Sequence, residues 1–265
     1  MRAGADVGGG DVGDYHSVRL GGRPRCQQPH CGCRTAPSHR APAPLGGPRP
    51  AVVVPTPLSE VMTVVGRAAV VLSWVDGRPC PKRDGGDPKE LASLLGSLRE
   101  VDCGRLADVL GVPHEYAGGD RWAEVMVQEV VPRLPSAWRS EWQRRIRAAL
   151  ELRWEQSSLV HGDLAGSNIR WDDRGRLVGV LDWDLAQRFD PALDAACLFW
   201  HGWDKVRSAV EAHMFRRACV WALTFGLEQI AFAILNNATE QKVAEEVVAM
   251  TAWLERSATW ERPAP

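Results

Sequence analysis

Lysine is scarce in this sequence. Only Lys82, Lys89, Lys205 and Lys242 are present, and none precedes residue 82. Arginine carries the rest of the positive charge, and the formal net charge is −1. So small a balance excludes a global electrostatic field for nucleic acid or for a strongly basic partner. Long apolar runs are absent too. None reaches the ~20 residues that span a bilayer, and Ala218–Leu235 is interrupted by Glu228 and Gln229, which reads as a buried helix. The opening MRAGADVGGGDVGDY has no apolar central segment, so a secretory signal is not expected. The seven cysteines are an odd number. Cys80, Cys103, Cys197 and Cys219 are scattered without a framework, which fits free thiols in a reducing, cytoplasmic setting. Neither a nucleic acid nor a membrane is expected as partner.

Large apolar residues are almost missing from residues 1–50, which are instead rich in Gly, Pro, Arg and His. Such a segment buries too little surface to offset its ordering entropy. It is expected to be disordered or only loosely attached. From residue 51 the texture changes. AVVVP and RAAVVLSWV run or alternate apolar between turn residues and predict strands. Residues 51–79 are therefore expected to hold strands and a connecting turn, and residues 80–260 a mostly helical body, an outline that resembles the N-lobe, hinge and C-lobe of a bilobal kinase.

Within that C-lobe a helix is expected over 88–100, with Asp87 as N-cap, Pro88 in the first turn and Leu91, Leu94, Leu95 and Leu98 on one face. Arg121–Val131 and Ala137–Leu150 predict two more helices. SSLVH, NIRW and RLVGVLDW predict short strands, with Asp172–Gly175 as a hairpin turn. Helices follow over 191–200, over 204–235 with a break, and over 239–256.

The chemistry is concentrated in His161-Gly162-Asp163-Leu164-Ala165-Gly166-Ser167-Asn168 and, after the hairpin, Leu181-Asp182-Trp183-Asp184. Phosphoryl transfer needs a group to accept a hydroxyl proton and cations to neutralise phosphates. Asp163 suits the first role. Asn168 and Asp182 offer side-chain oxygens for Mg²⁺, which takes few protein ligands and completes its octahedron with phosphates and water. The strand Leu177–Leu181 would hold Asp182 opposite the loop. His161 reads as a structural, hydrogen-bonded support, and Asp190 as an N-cap followed by Pro191.

HGDLAGSN resembles the H-x-D-x-x-x-x-N catalytic loop of the aminoglycoside phosphotransferase family, and LDWD resembles that family's metal-binding aspartate. Asp190-Pro191-Ala192-Leu193-Asp194-Ala195-Ala196 is similar to its D-P-x-x-D-L-A element, with Ala195 in place of Leu. The resemblance covers roughly residues 52–256 and implies an α+β, protein-kinase-like bilobal fold. The small β-containing N-lobe would be incomplete, and the larger helical C-lobe would carry the catalytic-loop hairpin. It further implies Asp194 as a brace of the catalytic loop, and a hinge at SWVDGRP whose backbone meets adenine at Trp74 and Val75. The implied reaction is ATP- and Mg²⁺-dependent O-phosphorylation of a small hydroxylated substrate, such as an aminoglycoside or related antibiotic.

One part of such a kinase is missing from the sequence. Gly8–Gly13 contains a G-x-G-x-x-G, but in a tract so rich in glycine that the pattern says little. No strand carrying a cation follows it, and the partnering acidic helix is absent. A shifted reading frame between about Gly22 and Val52, a natural degenerate lobe, and a zinc site from Cys26, His30, Cys31 and Cys33 are the competing explanations. The alternative to an active enzyme is therefore a catalytically impaired, pseudokinase-like binding module or an inactive gene product, and weak ATP binding is expected. Asp184, Asp204, Glu211 and Glu228 are candidate acidic contacts for a cationic substrate, although charges at helical spacing mostly form solvated faces. Trp122, Trp138, Trp200, Trp203 and Trp221 are expected to fill the helical lobe.

Overall fold

A computed structural model of the chain describes residues 52–64, 67–79, 85–153 and 155–257. The expectations for residues 1–51, including the glycine-rich tract, the Cys26–Cys33 cluster and the missing phosphate clamp, lie outside the described residues, as does Lys82.

Short strands precede and interrupt a mostly helical body, giving an α+β fold. β1 (Met62–Val64) and β2 (Arg67–Ala69) form an antiparallel hairpin with Met62 opposite Ala69. β3 (Arg78–Pro79), β5 (Ile169–Trp171) and β6 (Leu177–Val180) make an antiparallel sheet in the order β3-β5-β6. β4 (Ser158–Val160) pairs separately with β7 (Gln187–Phe189). The expected AVVVP strand is reduced to a single bridge. Val53 N–H donates to Val178 O at 3.1 Å and Val53 O accepts from Val180 N–H at 3.0 Å. Pro55 and Pro57 follow and have no N–H to extend the ladder. RAAVVLSWV is likewise shorter than expected: β2 stops at Ala69, and Leu72 adds only an isolated bridge to Pro57.

The helices follow local rules more closely. α1 (Pro88–Arg99) starts where Asp87 Oδ1 accepts the Lys89 N–H at 2.9 Å, and it buries Leu91, Leu94, Leu95 and Leu98. The helix expected over 121–131 is irregular. Only α2 (Trp122–Glu124) is α-helical, and it widens into a π-helical turn, Val125–Val130, before a 3₁₀ turn at Val131–Arg133. Pro132 in that last turn lacks the N–H a continuing helix would use. α3 (Ser136–Leu150), α4 (Ala192–Cys197), α5 (Trp203–Ala209), α6 (Ala212–Ala222), α7 (Phe225–Leu235) and α8 (Glu240–Ser257) complete the body. The long segment over 204–235 breaks at Val210, where the backbone is extended, and again around Thr224.

No single described helix is long and apolar enough to cross a membrane. α6 and α7 pass that test only as a pair, are bent by 41°, and bury most of their side chains. Every residue of α4 is buried, and its Ala192, Ala195 and Ala196 let it pack closely against α6. The Asp190 carboxylate ahead of α4 accepts from Ala192 N–H at 3.0 Å, Arg217 Nη2 at 2.6 Å and Trp221 Nε1 at 2.7 Å. One buried acid, one residue ahead of the Pro191 cap position, thus ties the start of α4 to α6. Ile169 and Val180, opposite each other in β5 and β6, are fully buried beneath the hairpin and fix its register.

Candidate active site

The loop between β4 and β5 carries Asp163, and its shape follows from glycine and hydrogen bonds. Gly162 has φ +84, and a Cβ there would lie 2.6 Å from Leu185 O. Only glycine lets the chain turn this close to the β7 side of the sheet. The His161 and Gly162 N–H groups both donate to Asp194, at 2.8 Å to Oδ2 and 2.9 Å to Oδ1. Asp194 is fully buried in α4, and burial pushes its carboxyl up to about 7 even though the two N–H donors pull the other way.

The imidazole of His161 is also fully buried. Its Nδ1 accepts the Asp163 N–H at 3.2 Å, which leaves the ring proton on Nε2, facing Leu181 O at 2.9 Å. Burial lowers its pKa to about 4, so it is neutral at physiological pH. Trp183 packs edge-on against it, with ring centroids 4.6 Å apart, and donates Nε1–H to Val180 O at 3.1 Å.

Asn168 ends the loop in a turn in which its N–H donates to Ala165 O at 2.9 Å. Its Nδ2 donates to Asp163 O at 2.8 Å and to Asp163 Oδ2 at 3.0 Å, which makes Oδ1 the acceptor end of the amide. Across the hairpin, Leu181 N–H donates to Asn168 O at 2.8 Å. Asp182 comes next and has φ +60, a left-handed conformation that is uncommon for aspartate. Asp163, Asn168 and Asp182 are therefore held by one connected set of backbone and imidazole hydrogen bonds.

Among the described residues, no three His, Cys, Asp or Glu side chains converge on a point where they could hold a metal. A closed all-protein metal cage is thus not what this set resembles. An amide oxygen and a carboxylate, both hard oxygen donors, instead suit Mg²⁺ whose other positions belong to phosphates and water.

The two residues expected at the hinge part company. Val75 is buried, with its side chain over Gly179 of β6, whereas Trp74 is 81% exposed. Both border a cavity of about 620 Å³ that Val53, Asp76, Val178 and Asp172 also line.

The acidic candidates divide further. Asp184, Asp204 and Glu211 are exposed. Glu228 is buried in α7 and accepts from Trp122 Nε1 at 3.0 Å and from Tyr116 Oη, with His114 Nδ1 at 3.1 Å. Burial pushes its carboxyl up, but these partners, His114 first, bring it below its ordinary value. Its oxygens are committed to the protein, which removes Glu228 from the substrate contacts. The sequence reading missed His114 and Tyr116, whose only local sign is the Gly-rich, non-helical run around them. Trp122 and Trp221 are buried, Trp138 and Trp203 pack against the core, and Trp200 is half-buried.

A catalytic-type loop closed on a β-hairpin, with a helical body behind it, is the architecture of the kinase-like phosphotransferases. Solved structures carry the same fold. An aminoglycoside 2′-phosphotransferase, solved with GDP, superposes with a TM-score of 0.62 at 17% identity, over 78% of this chain and 75% of that one. A macrolide 2′-phosphotransferase from Brachybacterium faecium does so with a TM-score of 0.55 at 19% identity, over 74% of each chain. The chain belongs to the phosphotransferase enzyme family, whose profile matches residues 40–232. Among characterised proteins it is similar to a viomycin phosphotransferase from Streptomyces vinaceus, 36% identical over 87 residues. That alignment spans 32% of this chain and 28% of the relative, so the match reaches less than a third of the relative's length.

Proposed function

We propose that the chain transfers the γ-phosphoryl group of ATP to a hydroxyl of a small-molecule acceptor. Asp163 takes the hydroxyl proton as the acceptor oxygen bonds to the γ-phosphorus, and the bond to the β-phosphate oxygen breaks to release ADP. Asn168 and Asp182 would hold Mg²⁺, which when bound neutralises charge on the phosphates. His161 and Asp194 act through the loop, holding the Asp163 and Leu181 peptides in place. Val75 and Trp74 would meet the base at the hinge.

The observation that carries this reading is the bond from Asn168 Nδ2 to Asp163 Oδ2 at 3.0 Å. It orients the base and aims the amide oxygen away from it in one contact. The viomycin and macrolide enzymes similar to this chain favour an antibiotic as acceptor, and the GDP-bound relative makes GTP a co-substrate worth testing beside ATP. A phosphate-transfer assay with both nucleotides, run over viomycin-type, aminoglycoside and macrolide acceptors, tests it. Acceptor-dependent release of ADP or GDP supports the reading. Its absence across the panel, with the Asp163→Ala protein indistinguishable from the natural one, would refute it.

One observation favours a second reading, a catalytically impaired binding module. The lysines among the described residues sit on α1, α5 and α8, and Lys205 Nζ is bonded to Gly85 O at 2.6 Å. None belongs to a strand beside the hinge. Saturable nucleotide binding without turnover would support that reading.

A further inference from the structure

The segment 194–201 meets the 161–168 loop, and the strand that follows it, at four places. Asp194 takes the loop's first two N–H groups. One helical turn on, the Cys197 thiol lies 3.7 Å from Gly162 O. His201 then packs edge-on against Trp171 of β5, with centroids 5.6 Å apart. Between these contacts lies Trp200, in the 3₁₀ turn Leu198–His201.

Trp200 meets the loop at Gly166. A Cβ on Gly166 would lie 1.9 Å from the indole Nε1 and 2.0 Å from Cδ1. Gly166 does not have the positive φ of Gly162, so its backbone is open to any residue. Space alone demands glycine here, and the indole takes that space. Gly166 is also the first central residue of the turn that closes on the Asn168 N–H. The pyrrole side of the indole, around Nε1 and Cδ1, thus backs the turn that delivers the Asn168 side chain to Asp163.

We propose that Trp200 is a positioning residue for Asn168, acting through Gly166, and that the pair sets how well the site binds magnesium-nucleotide; this rests on the phosphotransferase reading above. A rigid indole against a bare Cα admits one turn geometry. Adding a methyl at Gly166 forces the turn or the indole to shift, and the Asn168 amide oxygen moves with the turn.

Calorimetric titration of ADP into the full chain, with and without Mg²⁺, reads this directly. The quantity is the gain in ADP affinity that Mg²⁺ confers. Gly166→Ala is expected to reduce that gain about tenfold while leaving metal-free ADP binding unchanged. Trp200→Phe, which keeps an apolar ring but leaves the turn partly unbacked, should reduce it about threefold. In the double variant Gly166→Ala/Trp200→Ala the methyl has room, and the gain should recover above that of Gly166→Ala alone. A merely structural contact would lower the melting temperature of these variants without changing the magnesium-dependent gain. If the natural chain shows a gain and all three variants match it, the inference is overturned and the phosphotransferase reading stands. If the natural chain shows no magnesium effect, the assignment of Asn168 and Asp182 as metal ligands fails, and this inference with it.

Discussion

His161 and Leu181, on opposite sides of the hairpin, are joined by the imidazole Nε2 and the Leu181 carbonyl at 2.9 Å. Leu181 N–H donates to Asn168 O at 2.8 Å, so Leu181, the residue before Asp182, is held through both its N–H and its C=O. The other imidazole nitrogen accepts the Asp163 N–H at 3.2 Å. A single neutral histidine therefore links the residue assigned as base to the residue assigned as metal ligand. Both bonds need the imidazole in one tautomer, and protonation would turn the Nδ1 acceptor into a donor facing the Asp163 N–H.

That linkage has a pH signature. The folded pKa of His161 is about 4, against an ordinary value of 6.5. Its contribution to stability is complete above pH 6.5 and is lost as the pH falls toward 4, in all about 3 kcal/mol. Asp194 runs the other way. Its pKa is raised from 3.8 to about 7, so the stability linked to its titration is present below pH 3.8 and is lost as the pH rises toward 7. Melting curves from pH 4 to 8 should show a loss at the acid end that His161→Gln reduces. An unchanged acid limb in that variant would contradict the assigned histidine state.

Asp194→Asn is expected to destabilise the loop by about 2–3 kcal/mol, because one amide oxygen replaces two acceptors and the new NH₂ faces an N–H donor. Turnover should fall with stability, and magnesium-dependent nucleotide affinity should fall less than it does for Asp182→Ala. Thermal unfolding and nucleotide titration on the same preparations check both.

Glu228→Gln separates structure from recognition. The substitution sets an amide against three committed donors in a buried pocket, and a loss of about 2–4 kcal/mol in unfolding free energy is expected. The KM for the acceptor should not change. A several-fold rise in acceptor KM, with stability intact, would return Glu228 to the substrate contacts.

Local signals made much of this site legible. Asp87-Pro88 announces α1 because capping and the fixed φ of proline act within a few residues. The order Asp163, Asn168, Asp182 stands out in the sequence through its resemblance to the family's loop, and the structure links all three by hydrogen bonds around one hairpin. Glu228 was not legible as a structural residue. Its burial depends on Trp122, His114 and Tyr116, all distant in sequence, and a carboxylate at helical spacing is more often solvated. The irregular 122–133 segment escaped because apolar periodicity does not distinguish an α turn from a π turn, and Pro132 acts only at its end. The AVVVP strand is shorter than its apolar content suggests because Pro55 and Pro57 have no N–H with which to extend the ladder. The contact of Trp200 with Gly166 joins two segments that only the tertiary fold brings together.

Asp163→Ala and Asp182→Ala, compared in one pair of assays, test the central claim most directly. The measurements are acceptor-dependent phosphate transfer and calorimetric Mg-ADP affinity on the full chain. With Asp163 as base, Asp163→Ala should lose about a hundredfold or more in turnover and keep its Mg-ADP affinity. Asp182→Ala should lose the magnesium-dependent part of that affinity as well as turnover. An Asp163→Ala protein that loses nucleotide affinity as severely as Asp182→Ala, or that keeps full turnover, would contradict the account.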